Sequence, residues 1–308
     1  MKPLIICLAV LVLPLVSCQK DPTQPNADPS RKLSFSVKFD PEQQRLNNIG
    51  LPANLPNGHA AQTPEFQQMS IHYIELAANA FTPLGSGAVL FKGAETTKGG
   101  ENAVDFDHAI LIGNGELMTE ISLKNLPPGT YEWVRTSVTY QNYLINFNLK
   151  NLPIIGNLEN QQGTVASFVG FNTFISSVTP NQKTLAVNDD KKQGFWAFET
   201  SFSAPLDVYN AVISGEAPAA ATTVVNPLFL SSPIPAGSCV VTGKFAKPLV
   251  ITGNETGDIK VTLSFSVNQS FEWEDFNQNG QLDFYADDPI KNERIVDMGL
   301  RGLEPDWE

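Results

Sequence analysis

An all-β fold, an elaborated antiparallel β-sandwich with long loops, is what this 308-residue sequence predicts. Three observations carry the prediction. Apolar and polar residues alternate with a period of two in short runs along the chain. Those runs are rich in β-branched and aromatic residues. Gly-, Asn- and Pro-rich turn signals separate them at regular spacing.

The first structural element is KLSFSVKFD, where Leu33, Phe35, Val37 and Phe39 alternate with Ser34, Ser36 and Lys38. One face of such a strand is buried and the other wet. Residues 40–68 hold several Pro, Asn and Gly and no sustained period, so a functional loop or a crossing between sheets is expected there. MSIHYIEL resumes a strand, with Ile71, Tyr73 and Glu75 on one face and His72, Ile74 and Leu76 on the other. GAVLFKG, NAVDFDHAILI and ELMTEISL follow, separated by Gly- or Asn-rich turns. A tight turn at Pro128-Gly129 then opens a strand in which Tyr131, Trp133 and Arg135 alternate with Glu132, Val134 and Thr136. Further strands are expected in TVASFVGFNTFISSVT, GFWAFETSFS, SCVVTGKFAKPLVITG and DIKVTLSFSV. In the last, Ile259, Val261, Leu263, Phe265 and Val267 share one face. APLDVYNAVISG (204–215) reads as the one short helix, and APAAATTVV after it as a flexible excursion. The entry Leu126-Pro127-Pro128-Gly129-Thr130-Tyr131 resembles a recurrent edge in exported bacterial β-sandwich modules of the immunoglobulin-like or prealbumin-like kind. The domain covers 33–308 as one sandwich, or as two divided near 150–163.

The N-terminus carries an address. Lys2 precedes a short apolar run from Leu4 to Val16, too short for the ~20 residues of a spanning helix and interrupted by Pro14. A charged start, a short apolar stretch and small residues before a cut site describe a secretory signal over 1–17. Leu15-Val16-Ser17-Cys18 resembles the lipobox of bacterial lipoproteins. That resemblance implies cleavage before Cys18 and attachment of an N-terminal diacylglycerol and fatty acyl lipid, hence membrane contact through the lipid. Gln19-Lys20-Asp21 resembles the Gln-Lys-acid signal that sorts some Bacteroidetes lipoproteins to the outer leaflet. Pro22 and Thr23 stand where that pattern continues with acids, which leaves surface display and periplasmic residence both open. Residues 18–32, polar and Pro-rich, form the lipidated tether. The expected location is the outer membrane.

The formal charge of −12, which becomes −13 without Lys2, repels phosphate backbones and disfavours nucleic acid as a partner. Cys7 lies in the signal and Cys18 carries the lipid. Cys239 is then left without a disulfide partner, and it reads as a small buried hydrophobe.

DFNQNGQLDFYADD (275–288) is the strongest local constellation. Asp275, Asn277 and Asn279 recur at every second position, Gly280 follows, and Asp283 stands ninth. The spacing resembles the start of an EF-hand-type calcium loop, with oxygen donors at alternate positions, a glycine for the sharp turn and the Gln281 carbonyl after it. The twelfth place is Ala286 in place of glutamate, and Asp287 or Asp288 is the acid that would close the loop. Calcium is accordingly the expected cofactor, with Asp275, Asn277, Asn279, Gln281, Asp283 and Asp287 as its ligands and structural clamping as its role.

The three histidines His59, His72 and His108 match no metal spacing and read as separate hydrogen-bonding residues. Glu272 and Glu274 flank Trp273 and read as two solvated acids backed by a buried indole. No nucleophile elbow or HExxH helix is present. The expected function is a lipid-anchored envelope binding or structural module without a catalytic site, taking a glycan, a protein or a small molecule. The alternatives are a polysaccharide hydrolase with carboxylates from separate strands, and a metal-acquisition accessory protein that uses the histidines.

Overall fold

A computed structural model describes residues 31–204, 207–217 and 239–308. In chain order the first strands are β1 (Lys32–Asp40), β2 (His59–Gln62), β3 (Glu65–Ala77), β4 (Ala88–Lys92), β5 (Glu95–Thr96), β6 (Ala103–Asp105) and β7 (Leu117–Ser122). The middle of the chain forms β8 (Gly129–Leu152), β9 (Gly156–Phe168), β10 (Asn172–Val178), β11 (Leu185–Lys192), β12 (Phe195–Ala204) and β13 (Asp207–Glu216). The rest forms β14 (Val240–Ile251), β15 (Ile259–Ser266), β16 (Phe271–Glu274), β17 (Asp283–Tyr285), β18 (Arg294–Met298) and β19 (Leu303–Trp307). Among the described residues the helical elements are three single 3₁₀ turns, at Phe106–His108, Leu123–Asn125 and Pro289–Lys291.

The strands make an elaborated β-sandwich, predominantly antiparallel. A four-stranded sheet in the order β19-β15-β1-β7 packs on an eight-stranded one in which β13-β12-β9-β8-β3-β4 run side by side. The 24-residue β8 is the spine of the larger sheet. Along one of its edges β14 pairs with 129–137 and β9 takes over from 140 to 152; β3 covers 133–144 on the other, and β17 runs parallel to 148–150. Residues 150–163 are the turn and flanks of the β8–β9 hairpin. Two smaller sheets, β11-β10-β6-β5 and β18-β16-β2, cover parts of the large one.

The alternation of β1 and β15 has its expected consequence. Leu33, Phe35, Val37 and Phe39 lie beside Ile259, Val261, Leu263 and Phe265 in a parallel pair, and all are buried. They pack on Ile74, Leu76, Val134, Val241 and Phe245 to form the main core. Each such side chain contributes about 1.5–3 kcal/mol by leaving water. Cys239 lies in this core, and its burial pushes the thiol up to about 12. A second core surrounds Tyr140 and Phe168 under β10 and β11, and a third surrounds Tyr143 and Trp273 under β16 and β18.

Two expectations are corrected. The 204–215 stretch is no helix in its described part, because Asp207–Glu216 pairs with β12 residue for residue. In β3, Ile71 and Ile74 were expected on opposite faces, yet both enter the main core. Register shifts between Ser70 and Ile71 and between Ile71 and Tyr73 add bulges that exchange the faces along the strand.

Candidate functional site

Glu272 is not a solvated acid. A bulge between Glu272 and Trp273 breaks the simple alternation of β16, and the Glu272 side chain is only 2% exposed. It accepts from Arg45, from Arg301 at 2.7 Å and from His59 Nδ1 at 2.6 Å, while Arg301 also pairs with Asp297 at 2.6 Å. Burial opposes the charge on Glu272, but His59 and the two guanidiniums outweigh it and hold the carboxyl below its usual range. Trp273 is buried as expected, and Glu274 pairs with Arg294. With both oxygens engaged by buried partners, Glu272 braces the fold.

The histidines are distributed over different partners. His59 belongs to the Glu272 network, His72 Nε2 meets Glu95 at 3.2 Å, and His108 Nδ1 meets Asp105 at 2.9 Å. His72 and His108 line one cavity of about 150 Å³ with Asp105. Among the described residues no three His, Cys, Asp or Glu side chains already stand as a metal-binding group.

The 275–283 loop connects β16 to β17 and is folded on its own side chains. Asp275 accepts from the amides of Asn279 and Gly280 at 3.1 and 2.9 Å; Asn277 accepts from Asn279 N at 3.0 Å, and Asn279 from Gln281 N at 2.7 Å. Gly280 has φ +71°, the left-handed turn that a side chain there would strain. Asn277 and Asn279 both donate to Asp283 Oδ2 at 2.8 Å. Asn148 on β8 donates to Asp283 Oδ1 and to the Gln281 side chain, each at 2.8 Å. Five of the six residues picked from the sequence are therefore neighbours. The sixth, Asp287, is held apart by two bonds from Asn151 Nδ2, at 3.0 and 3.1 Å.

A residue the sequence reading missed, Glu293, comes to this loop from the position just before β18. Its Oε2 accepts from Asp283 N at 2.9 Å. Burial pushes its carboxyl up to about 7, and the acids Asp275 and Asp283 beside it push the same way. A shallow cavity of about 340 Å³, bounded by Phe276, Tyr285 and Ile290, opens on it. No sequence spacing links Glu293 to the loop, since it lies ten residues beyond Asp283 and a 3₁₀ turn intervenes.

Another concavity is apolar. Between the β8-β9-β12-β13 part of the large sheet and the β16-β18 layer runs a cleft of about 300 Å³. Ile145, Phe147 and Val165 form its floor, Trp196, Phe198, Phe202 and Ile213 one wall, and Phe271, Phe284, Ile295 and Met298 the other. Phe147 meets Phe198 and Phe284 edge-on, with centroids 5.5 and 6.0 Å apart. Among the described residues, Thr200 and the Trp196 indole bring its only side-chain O–H or N–H groups, and the Thr200 hydroxyl donates to the Gln162 carbonyl at 2.7 Å. Ile213, 51% exposed, stands at the rim. Such a surface recognises shape and hydrocarbon and offers little to a glycan, which needs convergent polar groups.

Cys18 and the lipobox residues lie outside the described residues. Among the described residues no helix is long and apolar enough to cross a membrane. Comparison with protein-family models, with curated proteins and with solved structures gives no match.

Proposed function

We propose that this chain is a lipid-anchored binding module of the cell envelope whose apolar cleft holds a hydrocarbon chain, such as a single acyl tail. The observation that carries the binding reading is the cleft. Its volume reaches the low end of small-molecule sites, and its walls supply dispersion and desolvation with almost no polar partner. Leu15-Val16-Ser17-Cys18 supports the anchor, and the outer membrane is the proposed location. Glu272, the acid beside Trp273, is engaged in bonds to Arg45, Arg301 and His59 that brace the fold.

The test uses the unacylated Cys18→Ala protein and a fluorescent long-chain fatty acid. Saturable binding is expected, competed by an unlabelled acyl chain and weakened about tenfold or more by Ile213→Glu, since each methylene losing its apolar contact costs about 0.8 kcal/mol. Non-saturable binding, or equal binding by the variant, would sink the proposal.

A further inference from the structure

We propose that the 275–283 loop and Glu293 together form a calcium site, with Asp275, Asn277, Asn279, the Gln281 main-chain carbonyl and Asp283 as loop donors and Glu293 as the closing carboxylate. Calcium takes six to eight oxygen ligands in a forgiving geometry, and an alternating loop with a glycine at its sixth place brings several to one centre. Here the side-chain-to-amide bonds of Asp275, Asn277 and Asn279 already hold the loop curled about those residues, and each bonded oxygen keeps a second lone pair.

The loop alone would be an Asx-rich turn. Glu293 supplies an independent observation. It is 4% exposed, and its Oε1 is buried with no hydrogen-bond partner, while Oε2 is fixed on Asp283 N. That carboxyl lies beside Asp275 and Asp283, and the crowding of acids there is relieved by a proton shared between Glu293 and Asp275 or, as proposed, by a cation bound among them. Glu293 occupies the role that the twelfth-position glutamate plays in a contiguous loop, supplied here from the position just before β18. Asp287 does not take that role, because Asn151 draws it to the β8–β9 hairpin. A cavity lined by Phe276, Asn277, Tyr285, Ile290, Lys291 and Glu293 opens beside the site. An ion at this point would tie the end of β16, the start of β17 and the start of β18 together. The proposal stands apart from the cleft reading and does not need it.

The experiment is calcium titration of the full chain after chelator treatment, followed by calorimetry and by terbium luminescence. Tyr285, whose hydroxyl lies 3.5 Å from Asn277, is the sensitiser for terbium. One ion per chain is expected, with a dissociation constant between about 10⁻⁶ and 10⁻³ M and preference over magnesium, which demands stricter octahedral geometry. Glu293→Gln keeps an acceptor for Asp283 N and should weaken calcium by about 10–100-fold or more, at least the loss typical of an outer-shell partner. Asp287→Asn should bind as the parent does. Absence of binding by the parent up to about 5 mM overturns the site. Parent-like affinity in Glu293→Gln, or loss in Asp287→Asn, overturns the assignment of the closing ligand. Should Glu293→Gln fail to fold by circular dichroism, Asp275→Asn decides the site, and its parent-like affinity overturns it.

Discussion

His72 shows how burial sets the behaviour of a single residue. It is buried on β3, with Nε2 on Glu95 and Gly93 packed against Nδ1. Burial lowers its pKa; the Glu95 hydrogen bond and charge resist this, and Lys92 adds to the lowering. Asp105 and His108 face it across the small cavity. A histidine whose folded pKa lies below its unfolded value of 6.5 binds fewer protons in the native state. Its contribution is therefore fully present above pH 6.5 and is lost as pH falls below it. Glu293, raised to about 7, works in the opposite direction over part of the same window, so the difference between parent and variant isolates His72. Urea unfolding between pH 7.5 and 5.5 should show a smaller acid-side loss in His72→Gln than in the parent. Equal pH slopes for the two proteins would refute this account. The residue type and its strand were legible in the sequence, but the burial that shifts its pKa comes from β4 and β6.

At the scale of elements, the Glu272 network binds together pieces that no local pattern associates. Arg45 lies in the loop before β2, His59 opens β2, Glu272 belongs to β16, and Arg301 follows β18. Removing one charge from a buried network leaves the others uncompensated. Glu272→Gln should cost about 3–5 kcal/mol in chemical denaturation, and a loss below about 1 kcal/mol would mean that water screens the site. β13 makes a related point about pattern. Its apolar residues Val208, Tyr209, Val212 and Ile213 fall at i, i+1, i+4 and i+5, the spacing of a helix face. The ladder with β12 overrides that signal, because ten successive main-chain pairs satisfy polar groups that a short helix would leave at its ends. By contrast β1 and β15 were legible outright, since their alternation agrees with the sheet face they occupy.

For the whole molecule, the parallel pairing of β1 with β15 joins the first described strand to residues 259–266, so this sheet forms only once β15 is present. Lys32, where β1 begins, is the last residue of the expected tether, so the fold starts where the tether ends. Cys18→Ala should abolish incorporation of labelled fatty acid and release the protein from the membrane fraction; retention of the label would exclude Cys18 as the lipid carrier. The all-β class, the buried faces of β1 and β15 and the loop residues from Asp275 to Asp283 were determined by the sequence alone, because alternation and turn chemistry are local and act within a few residues; the strand order, with its parallel β1–β15 pair, was not. Only the tertiary structure decided that Glu293 reaches that loop, that Glu272 is buried, and that Trp196, Phe198 and Phe284 line one cleft. Those facts depend on which sheets pack face to face, and strand periodicity is the same whether the covered face meets a core, a cleft or solvent.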